Sequence, residues 1–241
     1  MNETNHHFRG LRVAVTGGTS GLGLALVEQL HRADAQVAFL ARTAPRVQAV
    51  ARRLAGTHGI VGNVADREGI HALALQVTAL LGGLDLLIHC AGTLGPTALV
   101  PLADTECEDF EAALATNLLG PFRLTKALLG ALAASSRAGR PAVVVNISSD
   151  AAVNAYANWG AYSASKAAVA QMSRVWDEEL RRHGIRMVAH DPGDMATPMY
   201  AQALPEADLA SLARPETAAA TLLARIAPLL AAPGTPQEAL A

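Results

Sequence analysis

Residues 11–15, Leu-Arg-Val-Ala-Val, form a short β-rich run that breaks directly into Thr16-Gly-Gly-Thr-Ser-Gly-Leu-Gly23. Beyond the glycines, Leu22, Leu24, Ala25, Val27, Leu30 and Ala33 fall at helical spacing. Strand, glycine turn and helix in immediate succession leave few folds open. Glycine has no Cβ to block an anion, so backbone N–H groups at the helix N-terminus can approach a phosphate there. Such a turn also serves tight packing alone; at a strand end that opens an amphipathic helix, anion binding is the favoured reading. Gly17, Gly21 and Gly23 follow the spacing G-x-x-x-G-x-G rather than G-x-G-x-x-G.

The alternation then repeats. Strands are expected at 36–41, 58–62, 84–89, 141–148 and 185–190, and helices at 45–55, 66–81, 106–134, 160–183 and 215–230. The helix over 106–134 is expected to bend near Gly120-Pro121, where proline removes a ladder donor. Strands this apolar, separated by helices, describe an α/β chain with a parallel sheet covered on both faces. One domain over residues 10–231 is expected, with a flexible segment at 1–9 and a frayed tail at 232–241.

Composition narrows the function classes. The chain has 241 residues and a formal net charge of −2, so it offers no basic surface for sequence-independent binding of nucleic acid. Cys90 and Cys107 are too few for a disulfide framework or a Cys-based zinc site, and no metal site is expected. No apolar signal core and no run of about 18 apolar residues occurs. A cytoplasmic protein without a membrane partner is expected.

The chemistry concentrates near Tyr162-Ser-Ala-Ser-Lys166. Tyr162 and Lys166 are four apart, so on a helix they share a face. A free phenol titrates near ~10, and an ammonium held beside it favours the phenolate, so the pair is expected to act as a tuned acid/base. Ser149 ends the apolar run Val143-Val-Val-Asn-Ile-Ser148-Ser149 and would bring a second donor to the same substrate oxygen. Y-x-x-x-K by itself also occurs in helices without any such role.

With the glycine turn, Asn117, Ser149, Tyr162, Lys166 and Pro192-Gly193 in order, the sequence resembles the short-chain dehydrogenase/reductase family over about residues 10 to 230. The resemblance implies a Rossmann-type doubly wound sheet, a nicotinamide cofactor and interconversion of a carbonyl with an alcohol. It makes Tyr162 the general acid/base, with Lys166 lowering its pKa and holding the nicotinamide ribose, and Ser149, thirteen residues before Tyr162, orienting the substrate oxygen in preference to Ser148. Asn117, in Ala115-Thr-Asn-Leu-Leu-Gly120, would hold a water that links Lys166 to bulk proton exchange. The implied cofactor contacts are Gly17, Thr19, Ser20, Gly21, Leu22, Gly23, Arg42, Asn63, Val64, Ala91, Gly92, Tyr162, Lys166, Pro192, Gly193 and Thr197.

Three departures stand out. His89-Cys-Ala-Gly92 replaces the usual Asn-Asn-Ala-Gly, which removes amides that brace neighbouring strands; His89 then reads as a packed core histidine and Cys90 as a small buried hydrophobe. Asn63 stands where an acid commonly meets the adenine amino group, and an amide can still hydrogen-bond there. Residues 227–241, with Pro228, Pro233 and Pro236, cannot supply the usual seventh strand, so six strands are expected. The helices after Glu106 and Gly160 remain available for a two-fold homodimer.

The place of the acid that would accept the 2′-OH of NAD is taken by Ala41, with Arg42 following. Alanine does not repel a 2′-phosphate and a guanidinium can bind it, so NADP(H) is favoured and NAD(H) remains open. A small-molecule carbonyl or alcohol substrate would lie among Asp150 to Trp159, Gly92 to Thr97 and Asp194 to about Leu212, with Tyr156, Trp159, Met199 and Tyr200 as an apolar to aromatic wall. Asp150 and Asp194 are polar candidates with no partner visible in sequence. The rival reading is a non-catalytic NAD(P)-binding sensor or scaffold; it is disfavoured because Ser149, Tyr162 and Lys166 are all present. A dehydratase or epimerase is disfavoured by the short C-terminal part.

Overall fold

The computed structural model describes residues 6–96 and 98–230. Six strands, β1 (Arg12–Thr16), β2 (Gln36–Ala41), β3 (His58–Val61), β4 (Leu86–His89), β5 (Val143–Ile147) and β6 (Arg186–His190), form one all-parallel sheet in the order β3-β2-β1-β4-β5-β6. The helices are α1 (Gly21–Arg32), α2 (Ala44–Arg53), α3 (Ile70–Leu81), α4 (Cys107–Leu114), α5 (Gly120–Arg137), α6 (Gly160–Leu180), α7 (Pro198–Ala203) and α8 (Pro215–Ile226). The Rossmann-type doubly wound sheet of six strands is as expected.

Alternate residues of one strand feed opposite faces. Val13 and Val15 join Phe39, Ile88 and Val145 beneath α1 and α8, whereas Ala14 joins Leu40, Leu87 and Val144 beneath α3 and α5. All four residues of β4 are buried, which is why this strand reads as an unbroken apolar run. Because every strand runs the same way, all six C-terminal ends open onto one edge, and the order reverses between β1 and β4.

The helix expected over 106–134 is interrupted upstream of the expected bend. Between α4 and α5 lies a π-helical turn, Ala115–Leu119, in which Gly120 N–H donates to the Ala115 carbonyl, five residues back. Pro121 supplies the physical reason: it has no N–H for the carbonyl of Asn117, four residues earlier, and its ring crowds that carbonyl, so the ladder widens by one residue. The last helix ends early, at Ile226, and Ala227–Leu230 continue as a 3₁₀ turn. α7, which periodicity did not announce, is short and starts on the Thr197 cap.

Within the segment expected to be flexible at 1–9, Phe8 is buried in the core cluster with Leu11 and Val13. The tail expected at 232–241 lies outside the described residues.

At the opposite end of the sheet from the glycine turn, Asp85 is fully buried and accepts from Arg12 and Arg140 at 2.6 Å each. Burial opposes its ionisation, but the bonds from Arg12 and Arg140 override it and hold the carboxyl well below the usual carboxylate range. Folded-state depression of a carboxyl contributes stability at neutral pH that fades as pH falls below the unfolded value of ~4. Asp85→Ala leaves two guanidiniums facing a vacated buried site and is expected to lower unfolding stability by about 3 to 5 kcal/mol. Urea denaturation at neutral pH measures this, and the deficit should shrink on acidification.

Candidate active site

A cleft of about 500 Å³ runs along the C-terminal edge of the sheet. Its lining joins the glycine turn at one end to Ser149, Tyr162 and Lys166 at the other. Asn63, Val64, Ala91, Gly92, Pro192, Gly193 and Thr197 line it between. Of the expected site residues only Asn117 is absent from the wall, where its neighbour Thr116 stands.

The glycine turn is built around contacts that forbid side chains. A Cβ on Gly17, at φ +72°, would come within 2.8 Å of the Ala91 backbone, and one on Gly23 would run into the Gly17 carbonyl. Thr16 Oγ1 accepts from both Cys90 N–H and Ala91 N–H at 3.1 Å, which ties the ends of β1 and β4 together. Ser20 precedes α1 without a side-chain cap bond, and no acid occupies the first turn. The positive end of α1 therefore faces the cleft with its amides uncapped by any side chain and no carboxylate beside them, a cradle that fits a pyrophosphate. Thr19, Ser20 and Leu22 complete this wall.

Where β2 ends, Ala41, Arg42, Thr43 and Arg46 line the cleft. The acids of the lining, Asp150, Asp191 and Asp194, all belong to segments beyond β5 and β6. Arg46 is a residue that sequence reasoning missed. Its signal was its place in the first turn of α2, four residues after Arg42.

The Asn63 carboxamide oxygen accepts from Ala65 N–H at 3.1 Å, which leaves its NH₂ group as the donor. The hydrogen-bonding sense is thus opposite to that of a carboxylate. Asn117 is buried; its Nδ2 donates to the Thr93 carbonyl and to Ser165 Oγ, both at 2.8 Å, and its Oδ1 accepts from Thr93 N–H at 2.9 Å. Both amide hydrogens are spent on bracing the loop after β4 against α6.

Ser149 and Ser148 follow β5 and both line the cleft; Ser148 is buried and donates weakly, at 3.5 Å, to the Lys166 carbonyl. Lys166 is almost wholly buried, and its Nζ donates to the Ile147 carbonyl at 2.7 Å and lies 5.5 Å from the Tyr162 ring centroid. Trp159 packs edge-on against Tyr162, with centroids 5.6 Å apart.

The electrostatics correct one expectation. Burial pushes the Tyr162 phenol up to about 12; a hydrogen bond with Ser149 opposes the rise, and the charges of Asp191 and Asp150 add to it. Burial lowers Lys166 to about 8, with Cys90 and Asp191 pulling the other way. Desolvation outweighs the hydrogen bond with Ser149, so the phenol is raised rather than lowered and held in its protonated form.

His89 and Cys90 behave as expected. His89 is buried, its Nε2 is 2.8 Å from Thr125 Oγ1, and burial lowers it to about 3, which keeps it neutral. It ties β4 to α5. Burial raises the Cys90 thiol to about 12, so it is inert as a thiolate. Asp150 and Asp194 now have partners: Tyr156 donates to Asp150 Oδ2 at 2.6 Å and Tyr200 reaches Asp194 Oδ2 at 3.5 Å.

Comparison with known proteins agrees with this geometry. Residues 12–208 match the family model described as short chain dehydrogenase. The chain is 32% identical over 193 residues to an L-fucose dehydrogenase of Mus musculus, covering 80% of this chain and 68% of that one. It is 30% identical over 190 residues to an L-xylulose reductase of Bos taurus, covering 79% and 74%. Among solved structures, a short chain dehydrogenase of Escherichia coli CFT073 complexed with NADPH superposes with a TM-score of 0.84 at 26% identity, covering 91% of each chain. With a family model matched across most of its length on a sheet of the same topology, this chain belongs to the short chain dehydrogenase family of oxidoreductases.

Proposed function

We propose that the chain is an NADPH-dependent oxidoreductase that interconverts a small-molecule carbonyl and an alcohol, with Tyr162 as the general acid/base. The observation that carries this is the single cleft in which an uncapped helix N-terminus and two guanidiniums lie at one end and Ser149, Tyr162 and Lys166 at the other. The nicotinamide cofactor supplies or accepts the hydride. Everything else falls to the chain. Gly17, Gly21 and Gly23 admit the pyrophosphate, Asn63 and Val64 bound the adenine end, and Arg42 with Arg46 suits a 2′-phosphate.

In reduction, the protonated Tyr162 delivers its hydrogen to the substrate oxygen as negative charge develops there, and Ser149 steadies that oxygen. A phenol raised by burial is a ready proton holder at neutral pH, which suits the acid role. Lys166, positive below about 8 and anchored on the Ile147 carbonyl, attracts the developing phenolate and holds the ribose. Asn117 braces Ser165, next to Lys166, and is the residue assigned to the relay water.

The relatives named above act on an alcohol or carbonyl of a sugar, and the Escherichia coli structure carries NADPH; both support the same reading here. A cytoplasmic homodimer through α5 and α6 completes the proposal. Its support is the exposed Val175 together with the Phe122–Trp176 ring pair, 5.4 Å apart, which joins the two helices.

Tyr162→Phe keeps the ring and its packing, so NADPH binding should survive while turnover falls by about 100-fold or more, the scale of general acid catalysis. Fluorescence titration with NADPH and steady-state rates on an active carbonyl read the two effects separately, and retained turnover would refute the assignment. Lys166→Ala should weaken cofactor binding as well. Arg42→Ala is expected to cost NADPH about 1 to 3 kcal/mol of binding and leave NADH nearly untouched; equal losses would make Arg42 a support of the fold. Sedimentation equilibrium should give twice the 24.9 kDa chain mass, and a stable monomer or tetramer would count against the helix-pair interface.

A further inference from the structure

Gly120 opens α5 with φ −59° and ψ −58°, a helical conformation that any residue adopts. Glycine is a poorer helix former than alanine, so nothing in the backbone selects it. Its surroundings do. A Cβ at position 120 would stand 2.8 Å from the carbonyl oxygen of Val64 and 3.2 Å from that residue's carbonyl carbon and Cβ. Gly130, on the same helix, has nothing among the described residues within 4 Å of its own Cβ position, so the crowding belongs to this one contact.

The two sides of the contact differ in how far they can yield. On the α5 side, Gly120 N–H donates to the Ala115 carbonyl, Asn117 in the same π turn is tied to Thr93 and Ser165, and Thr125 Oγ1 lies 2.8 Å from His89 Nε2. On the other side, Val64 follows β3, an edge strand in which only Ile60 is buried. Asn63 closes the turn there, accepting from Asp66 N–H at its carbonyl and from Ala65 N–H at its side chain. A push on Val64 therefore moves this turn as a unit, and both Asn63 and Val64 line the cleft.

We infer that Gly120 is a positioning residue for the adenine end of the cofactor: its bare Cα lets the Val64 backbone seat against α5 and so fixes the place of the adenine wall. The π turn that holds Asn117 against Thr93 and Ser165 thereby also seats the far end of the cleft. The inference rests on the reading of Asn63 and Val64 as the residues that bound the adenine.

Gly120→Ala in the full-length protein tests it, with two probes that divide the cofactor: adenosine 2′,5′-bisphosphate for one half and nicotinamide mononucleotide for the other. Displacement of NADPH fluorescence should show the bisphosphate weakened by about tenfold or more, the scale of overpacking by one methyl group, and the mononucleotide unchanged. Gly130→Ala should alter neither. Undiminished bisphosphate binding by Gly120→Ala overturns the inference, and so does an equal loss for both probes, which marks a general disturbance of the fold. Asn63→Ala separates the inference from the reading beneath it. If that variant loses bisphosphate binding while Gly120→Ala keeps it, the adenine wall stands and the role of Gly120 falls; if neither loses it, both fall. Should Gly120→Ala fail to fold, amide exchange in the unaltered chain decides. The bisphosphate should then slow exchange over residues 62–66 and 118–124 together, and protection confined to the first stretch overturns the inference.

Discussion

The seam between β1 and β4 is the constraint on which the rest of the structure depends. One oxygen, Thr16 Oγ1, accepts from the amides of Cys90 and Ala91, and Gly17 passes so close to Ala91 that no Cβ fits between them. This is where the strand order reverses, so α1 departs to one face of the sheet and the chain after β4 to the other. The parting leaves a crevice at the strand ends. Had the two ends been held apart by a side chain at position 17, the uncapped amides of α1 and the loop carrying Ala91 and Gly92 could not face the same ligand.

Burial sets the electrical character of the crevice. The interior around β4, β5 and α6 strips water from Tyr162, Lys166, His89 and Cys90 together, and each responds by favouring its neutral form. His89 and Cys90 thereby become packing residues. Tyr162 becomes a held proton, and Lys166 stays cationic at neutral pH with its ammonium anchored on a carbonyl. Asp85, at the other end of the sheet, shows the opposite balance: two guanidiniums outweigh the same desolvation and keep the charge.

Where the usual amides are replaced, the strands are tied to the helices that cover them. His89 bonds Thr125 on α5, and Asn146, its register partner on β5, bonds Ser173 on α6. Both bonds run from a strand to the helix beside it, through an imidazole, an amide and two hydroxyls. At Asn63 the change is one of polarity, since an amide committed to Ala65 through its oxygen presents a donor where a carboxylate would present an acceptor.

The sequence by itself determined the order of strands and helices, the glycine turn, and the face shared by Tyr162 and Lys166, because these follow from periodicity, from the missing Cβ of glycine and from helical spacing, all local properties. It also pointed to a bend in the long helix near Gly120-Pro121. What only the tertiary structure decided was where the break falls, since the π turn at Asn117 depends on which carbonyl Pro121 deprives and on Asn117 finding Thr93 and Ser165. Arg46 entered the cleft only once α2 was seated beside β2. The direction of the Tyr162 shift, the Asp150–Tyr156 clamp and the burial of Phe8 were likewise illegible. Each depends on which groups lose their water, and desolvation is a property of the assembled sheet and helices rather than of any stretch of chain.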